Sequence, residues 1–428
     1  MKKYILLLLL FLISFSGFSQ QKKLLKNVKV LLFNDSITTN LQLNKHNFLL
    51  EKQLKKIKLD HVLKKKHSFF IVYTHNIDAG SSNLLKLKSN NLKLLINTDL
   101  TTNNTKTIES NDLESNILSI RMLKPKLKGG DIIIDKEFIN KNKIYEIIYF
   151  PKWLNNKIKR QIETYLSVKY GISLQTKIDY YDSSNKKIWD AKVNKEYSNR
   201  VFGIGKDTGT GLLQYESRNV YSSLLQISFT NSNNVSDKEY VLVGDNGKKA
   251  KFVDAKNISL DAIMDRKWKI SATQTYPLDF VLQVNESQKS NNYDYWLMLS
   301  NKDFEIEYSK FVKAKKTKQG KYFFNSVKFE EREYFTFVRT EKNHYPGTLI
   351  SFYPNPVVKD DALHIHFIIP DKQKIEIKIY NEAGQLLISE NKIIENRQEL
   401  TYKLPQTGIY FIKIAIDNHH QTAKIICE

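Results

Sequence analysis

The 428-residue sequence has almost no cysteine and an uneven supply of histidine. Its single cysteine, Cys427, cannot form an internal disulfide, so each domain has to depend on its own packing. None of its nine histidines lies between residues 76 and 343. That segment alone therefore supplies no Ser-His-Asp triad, no Cys-His pair and no His/Cys zinc site.

Proline is also scarce, with eight in the chain, and two of them stand close together in SFYPNPVVKDD, which begins at Ser351. A prolyl ring fixes φ and removes an N–H, so Pro354 and Pro356 cannot continue a helix or a central strand. The segment predicts a stiff extended joint at which one domain ends and another begins.

Arginine is rare in a chain that is otherwise strongly basic. The net charge is +22, but only 8 of the 67 basic residues are arginine. Proteins that read nucleic acid favour the bidentate fork of arginine, so we expect a dispersed, solvated lysine surface and no nucleic-acid partner. The densest runs, KKLLKNVK (22–29) and KKIKLDHVLKKK (55–66), leave contact with anionic polysaccharide or a membrane surface open.

Long apolar runs are confined to the start of the chain. MKKYILLLLLFLISFSGFSQQ places Lys2 and Lys3 before an apolar run and small residues after it, which is the layout of a secretory signal peptide. The run is shorter than the ~20 residues that a membrane span needs. We expect a signal peptide over residues 1–19, with cleavage after Ser19 or Gln20. The product, with no transmembrane segment left, would pass the periplasm and be secreted or held at the outer cell surface.

The rest of the chain predicts an all-β protein with several domains. Apolar segments with polar breaks recur throughout, and the length corresponds to two or three domains of ~100–200 residues. Residues 20–153 indicate a β-rich region of jelly-roll-like or sandwich type. Its strands are predicted at 67–76, at 84–100 as a hairpin and at 131–151 as two strands, with a polar loop at 101–112.

One helix opens the predicted middle domain, residues 154–342. Its apolar residues recur at the spacing of one helical face, and they are Ile158, Ile162, Tyr165 and Leu166. Asn155 or Asn156 can cap its start, and Gly171 can end it. The remainder is β-rich, with strands predicted at 199–206, 223–230, 238–245, 266–273, 278–284, 293–299, 321–327 and 333–339.

The last predicted domain, residues 343–428, consists of short alternating strands. Ile375, Ile377 and Ile379 alternate with charged residues, and NEAGQ (381–385) and PQTG (405–408) supply turns. About seven such strands in so short a segment predict an Ig-like β-sandwich.

Four motifs of this domain carry a family resemblance. FYPNP, IKIYNEAGQLL, LPQTGIYFIKI and the terminal AKII together resemble the type A C-terminal sorting domain of type IX secretion cargo. The resemblance implies transport across the outer membrane by the type IX secretion machinery, removal of the domain, and often anchoring to surface lipopolysaccharide. The sorting-motif residues that it implies are Tyr353, Pro354, Asn355 and Pro356 at the domain entry, Gly384 and Gly408 in turns, Tyr410 on the following strand and Lys424 in the last strand.

A second resemblance covers about residues 155–340. The segment EIIYFPKWLNNKIKRQIETYLSVKYGISL, followed by VFGIGKDTGTG, YVLVGDNGK and DRKWKISAT, is similar to an uncharacterised β-rich domain of Bacteroidota surface proteins. In those proteins the domain follows a concanavalin-like, LamG-type jelly roll. The resemblance therefore implies a truncated LamG-like region over residues 20–153, and it implies no particular chemistry.

Carboxylates are the remaining source of catalytic groups. A glycosidase needs two of them ~5–9.5 Å apart, and sequence cannot pair the candidates Asp190, Asp207, Asp245, Asp254, Asp261 and Asp265. Asp207 and Asp245 stand in KDTG and GDNG turns, where aspartate commonly accepts hydrogen bonds from its own backbone. GIGKDTGTG predicts a turn between strands, because no helix follows it as a dinucleotide-binding loop requires.

The sequence therefore favours a secreted or cell-surface protein without catalysis, used for adhesion or carbohydrate contact. Its four tryptophans, 23 tyrosines and 23 phenylalanines could stack on sugars or fill a core. The alternative is a secreted polysaccharide-active enzyme with paired carboxylates. No catalytic or metal-ligating residue is assigned, and no cofactor is expected, with calcium left open. The expected partners are the type IX secretion machinery and glycans or anionic surface polysaccharide.

Overall fold

The computed structural model is all-β apart from one α-helix in the part of the chain that it describes. The described residues are 30–33, 42–49, 57–59, 66–76, 83–89, 92–97, 113–123, 130–134, 143–255, 260, 262–284, 293–305, 309–316, 320–329, 333–342, 346, 349–416 and 419–428. The predicted signal peptide, Ser19, Gln20, the whole run 22–29 and most of the run 55–66 lie outside them. Within these residues no helix has the length and apolarity to cross a membrane.

The chain divides into two compact units. Residues 1–247 and 270–280 form the first unit, and residues 248–269 and 281–428 form the second. The two division points near residues 270 and 280 fall inside strands, so the predicted boundaries at 153 and 342 are not the ones that separate these units. The division into four segments stays a prediction.

The first unit begins with short antiparallel sheets. Its first ten strands are β1 (Val30–Phe33), β2 (Gln42–Leu43), β3 (His46–Asn47), β4 (Ile57–Leu59), β5 (Lys66–Asn76), β6 (Asn83–Ser89), β7 (Leu92–Asn97), β8 (Leu113–Leu123), β9 (Gly130–Ile134) and β10 (Lys143–Phe150). One sheet has the order β1-β10-β5-β8, a second has the order β4-β9-β6-β7, and β2 pairs with β3. The predicted strand at 67–76 and hairpin at 84–100 are confirmed as β5 and as β6 with β7.

Strand β8 is the element of this region that the sequence does not predict. It pairs with β5 along its whole length, from Leu113 opposite Asn76 to Leu123 opposite Lys66. Its apolar pattern is broken by the polar residues 114–116, so local alternation is weak. Strand β5 is fully buried from Phe69 to Tyr73. Its pairing with β8 stabilises the extended conformation that the local pattern of β8 favours only weakly.

The helix α1 (Asn156–Tyr170) confirms the predicted one, including its caps. The side chain of Asn155 accepts a hydrogen bond from the Ile158 N–H at 2.9 Å, and Gly171 ends the helix with φ at 66°. A Cβ at position 171 would come within 2.2 Å of the Arg218 carbonyl oxygen. Every residue of α1 from Gln161 onward is buried, and its apolar face packs in one core with β5 and β10.

Further strands complete the first unit. They are β11 (Tyr180–Tyr181), β12 (Lys187–Trp189), β13 (Asn199–Asp207), β14 (Leu212–Gln214), β15 (Glu216–Arg218), β16 (Leu225–Phe229) and β17 (Glu239–Asp245). Strand β13 lies between β14 and β17. A Cβ at Gly203 or Gly205 would come within 2.4 or 2.8 Å of a backbone oxygen of β17. Close strand packing therefore explains these glycines, in agreement with the prediction that GIGKDTGTG is no nucleotide-binding loop.

The second unit contains the remaining strands of the middle region. They are β18 (Phe252–Asp254), β19 (Ala262–Met264), β20 (Trp268–Ala272), β21 (Leu278–Gln283), β22 (Tyr293–Ser300), β23 (Lys310–Lys313), β24 (Lys315–Lys316), β25 (Lys321–Val327) and β26 (Tyr334–Glu341), with β20 and β21 crossing a division point. Strand β26 pairs with β19, with β22 and with the start of β20. Stacking of Trp268 on Phe335, with ring centroids 5.5 Å apart, is part of its aromatic core.

Five strands form the C-terminal domain of the second unit. They are β27 (Leu349–Tyr353), β28 (Ala362–Asn381), β29 (Leu386–Lys403), β30 (Gly408–Ile416) and β31 (His419–Cys427). The order is β27-β28-β30-β31, with β29 paired to β28. Strands β28 and β29, with 20 and 18 residues, are longer than the short strands that the sequence predicts, and their pairing shifts register between Ile369 and Gln373 without ending either strand. The alternating isoleucines predicted as core are buried, including Ile375, Ile377 and Ile379.

Candidate functional sites

The Tyr-Pro-Asn-Pro segment is fastened to the last strand of the C-terminal domain. The Asn355 side chain donates a hydrogen bond to the Lys424 carbonyl oxygen at 3.0 Å and accepts one from the Ile426 N–H at 2.9 Å. The Val357 N–H then donates to the Ile426 carbonyl oxygen at 2.8 Å. Both X–Pro bonds, at Pro354 and Pro356, are cis. The segment predicted as a joint is therefore also hydrogen-bonded to the last strand of the domain that follows it.

Tyr353 belongs to an exposed polar group at that entry. Its hydroxyl donates to one carboxylate oxygen of Glu399, and Nδ1 of His364 lies 2.8 Å from the other. The rings of Tyr353 and His364 stack with centroids 5.2 Å apart. The hydrogen bonds from Tyr353 and His364 lower the pKa of Glu399. The sequence does not predict this group, since no local pattern links His364 to Glu399, 35 positions away.

The other predicted sorting residues lie in turns and on the last two strands. Gly384 and Gly408 have φ of 78° and 142°, and a Cβ at either would meet no atom within 4 Å, so backbone conformation is what requires glycine there. The buried Tyr410 hydroxyl donates to the Gln406 carbonyl oxygen at 2.8 Å. Lys424 is exposed, and its part in the entry contact is its backbone oxygen. The role of these residues in sorting stays a prediction.

A buried ionic group connects α1 to β10 in the first unit. Glu146 is fully buried, and its carboxylate accepts hydrogen bonds from Lys169 Nζ at 2.9 Å, the Tyr170 hydroxyl at 2.8 Å and the Tyr165 hydroxyl at 3.1 Å. Burial is the largest influence on Lys169 and acts to lower its pKa, but Glu146, Tyr165 and Tyr170 together outweigh it and hold that pKa well above its ordinary value. Burial, and then Glu146, raises the pKa of Tyr165 and Tyr170. We call these four residues the Glu146 cluster.

His46 lies beside the Glu146 cluster. Its ring meets Tyr170 edge-on at 5.2 Å, and its Nε2 lies 2.9 Å from the side-chain oxygen of Gln214. Burial, reinforced by the positive charge of Lys169, lowers the pKa of His46 from 6.5 to about 4. His46 is therefore neutral at physiological pH, and its Nε2–H is the donor to Gln214.

The two aspartates predicted to serve their own turns do so. Asp207 is fully buried, and its carboxylate accepts hydrogen bonds from the Gly209 N–H, the Ser183 N–H and hydroxyl, and the Tyr240 hydroxyl, at 2.6–2.9 Å. Asp245 accepts a hydrogen bond from the Gly247 N–H. The guanidinium of Arg200 donates two more, from Nη2 at 2.6 Å and from Nε at 2.7 Å. Both carboxylates are buried and hold these turns and neighbouring strands together. Among the described residues no three His, Cys, Asp or Glu side chains are grouped to hold a metal ion.

A polar cavity of about 290 Å³ lies beside the N-terminal half of α1. Three charged side chains of the helix line it, Lys159, Arg160 and Glu163. Glu163 accepts a hydrogen bond from Lys159 with one carboxylate oxygen and from Arg160, at 2.6 Å, with the other. The remaining walls are Asn116, Ile117, Leu118 and Ser119 of β8, Ile172, Ser173, Leu174, Gln175 and Ile178 after the helix, and Tyr221. Sequence reasoning did not find this site, because it depends on the unpredicted strand β8.

The four tryptophans divide clearly by exposure. Trp189, Trp268 and Trp296 are buried with 1–3% of their surface exposed, so these three fill a core, which is one of the two roles that the sequence leaves open. Trp153, which lies between β10 and α1, is 40% exposed. The guanidinium of Arg121 lies over its ring at 5.0 Å and also donates to the Leu154 carbonyl oxygen and the Asn156 side chain. Trp153 is thus an exposed ring held in a fixed orientation.

Two family matches define the class of this protein, an exported, all-β chain that ends in a sorting domain of a secretion system. Residues 351–428 match the model of the secretion system C-terminal sorting domain, and residues 158–333 match a domain of unknown function (DUF8202). The chain therefore carries a type IX sorting domain behind an uncharacterised β-rich domain, and that sorting domain directs it to the cell surface or the medium.

Comparison with other proteins adds little beyond these two matches. No curated protein matches the sequence. Among solved structures, a glycosyl hydrolase family 2 member from Bacteroides cellulosilyticus is similar at 10% identity over 36% of this chain and 26% of its own, with a TM-score of 0.14. Dimeric latent PorU from Porphyromonas gingivalis is similar at 10% identity over 84% and 29%, with a TM-score of 0.18. The chain spans under a third of either protein, and TM-scores this low support no conclusion.

Proposed function

We propose that this exported protein is non-catalytic and serves in adhesion or carbohydrate contact at the cell surface or in the medium. The observation that carries the proposal is Trp153, the exposed tryptophan of the first unit. An indole ring offers a flat apolar face to the C–H groups of a sugar. Arg121 covers one face of the ring at 5.0 Å and fixes it, so the open face would meet a ligand at little cost in side-chain entropy.

The alternative, a polysaccharide-active enzyme, needs two carboxylates with separate roles. Among the described aspartates, Asp207 and Asp245 each accept several hydrogen bonds. In the polar cavity the single carboxylate, Glu163, is held by two cations. In both arrangements the carboxylates are occupied by hydrogen bonds or cations, which supports the binding function over the enzyme.

The organisation of the exported chain is part of this proposal. A signal peptide over residues 1–19 would start export, and the type IX machinery would complete it by way of the sorting domain. A truncated LamG-like region over residues 20–153 would precede the uncharacterised domain, and glycans would be the partners of the mature protein.

A glycan array tests the proposal with the full chain and with Trp153→Ala. We expect the variant to lose about tenfold or more in affinity for every glycan that the chain binds, because truncating a tryptophan anchor in a binding site commonly costs ~2 kcal/mol or more. Trp153→Phe should retain much of the binding. Leu213→Ala, at another exposed apolar residue of the first unit, is the matched control. Unchanged binding by Trp153→Ala would overturn the assignment of Trp153, and release of sugar from a bound glycan would overturn the non-catalytic function.

A further inference from the structure

The polar cavity beside α1 has an excess of positive charge on its open side. Glu163 is its single acidic lining residue, against Lys159 and Arg160, so the lining carries a formal charge of +1. The Glu163 side chain is 7% exposed, whereas those of Lys159 and Arg160 are 21% and 27% exposed. The carboxylate therefore lies beneath the two cations, and the cations are what an entering molecule meets first.

Both cations keep hydrogen-bond donors that Glu163 does not use. An arginine side chain has five N–H donors and a lysine has three. Arg160 gives one Nη1 donor to Glu163 Oε2 and Lys159 gives one to Oε1, and neither side chain makes another hydrogen bond within the described part of the chain. The planar fork of a guanidinium matches a carboxylate of a ligand in a bidentate manner.

The helix itself adds a second reason to expect an anion here. Its first five residues include the three cations Lys157, Lys159 and Arg160, and its first turn contains no acidic residue. The N-terminal end of a helix carries the positive end of the macrodipole, so cations there are unfavourable and anions are favourable. Residues that break a local rule of this kind are expected at functional sites.

We propose that this cavity binds one acidic sugar residue, a uronate, whose carboxylate is held by Arg160 and Lys159. The proposal rests on the proposed function, because it assigns the charge class of the carbohydrate. A volume of about 290 Å³ lies just below the ~300–1,000 Å³ that ligand pockets span, which fits a single ring. The amide of Asn116 and the hydroxyl of Ser119 in the lining offer hydrogen bonds to sugar hydroxyls.

The test is calorimetric titration of the full chain with three methyl glycosides that share one ring: glucuronate, glucose and glucose 6-sulfate. We expect the glucuronate to bind at least tenfold more tightly than the glucoside, a difference of ~1.4 kcal/mol. The glucuronate should also bind more tightly than the sulfate ester. Its affinity should fall as sodium chloride is raised, since an exposed charge contact is screened by salt.

Three variants assign the effect to the cavity. Arg160→Gln should weaken glucuronate binding about tenfold or more, and Glu163→Gln, which removes the competing carboxylate with little change of shape, should strengthen it. Lys157→Gln is the matched control, because it removes the same charge from the same helix end outside the cavity lining. A thermal melt of each variant verifies that it folds.

The outcomes separate this inference from the proposed function. Equal affinity for the glucuronate and the glucoside would overturn the charge assignment and leave carbohydrate binding standing. Preference for the sulfate ester, or an equal loss in Lys157→Gln and Arg160→Gln, would overturn the carboxylate site. No binding of any of the three sugars, while the array still shows Trp153-dependent glycan binding, would overturn the cavity as a site and keep the proposed function.

Discussion

Acid should destabilise the first unit through His46, and the histidine can be removed to show it. In the unfolded chain a histidine takes up its proton near pH 6.5, whereas folded His46 stays neutral down to about pH 4. Between these values the unfolded state binds more protons, so stability falls as the pH decreases from about 6.5 to about 4. Below pH 4 both states are protonated, and no further loss comes from this residue.

The size of the effect follows from the two pKa values. The difference between 6.5 and about 4, at ~1.4 kcal/mol per pH unit, gives at most about 3 kcal/mol of unfolding free energy. The physical origin is burial, with repulsion from Lys169 added to it. His46→Gln keeps a donor for Gln214, as the neutral ring does, and carries no titrating group, so it should lose this part of the acid sensitivity.

Hydrogen–deuterium exchange of peptides covering α1 measures the stability of the first unit without interference from the second. Protection, corrected for the intrinsic pH dependence of exchange, is compared between pH 7 and pH 4. We expect the loss in the unaltered protein to exceed that in His46→Gln by up to about 3 kcal/mol. His420→Gln, at an exposed histidine of the C-terminal domain, should match the unaltered protein. The same loss of protection in all three proteins would refute the reasoning.

Three further substitutions test other contacts. Lys169→Met should cost about 3–5 kcal/mol in a thermal melt because it leaves Glu146 buried without its cation, and a loss no larger than that of the exposed Lys187→Met would contradict this. Gly408→Ala should lower the free energy of unfolding by about 1–3 kcal/mol, because alanine is strained at a φ of 142°. An unchanged melting temperature would contradict this. Asn355→Ala should raise amide exchange in β31 because it removes two hydrogen bonds to that strand. The control Asn391→Ala should leave exchange in β31 unchanged, and equal exchange in both variants would show that Asn355 does not hold β31.

Elements with strong local signals could be predicted from the sequence. Helix α1 has a periodic apolar face, an asparagine cap and a terminal glycine, and the structure places all three where the pattern does. The eight strands predicted for the middle region are likewise found to within about two residues, as β22 (Tyr293–Ser300) shows. Short strands between them, such as β14 (Leu212–Gln214), are not predicted. In both cases the local preference and the tertiary packing favour the same structure.

Elements that depend on a distant partner could not be predicted. Strand β8 has a weak alternating pattern and owes its form to eleven pairings with β5. The length of β28 depends in the same way on β29, which pairs with it on both sides of the register shift after Ile369. A sequence pattern indicates which conformation a segment prefers by itself. These two strands are instead stabilised by pairing with a neighbouring strand.

The Glu146 cluster had one signal in the sequence, a single charge inside the apolar run IYEIIYF. A fully buried glutamate needs a partner, but the pattern does not say that Lys169 and two tyrosines supply it. The two ends of α1 thus use charge in different ways. Lys169 in its last turn is neutralised by Glu146 inside the core, which supports one register of the helix on β10. Lys159 and Arg160 near its start are only partly neutralised and stay accessible. Since the first contact is buried and the second is open, removing Lys169 should act on stability, and removing Arg160 should act on affinity for an anion.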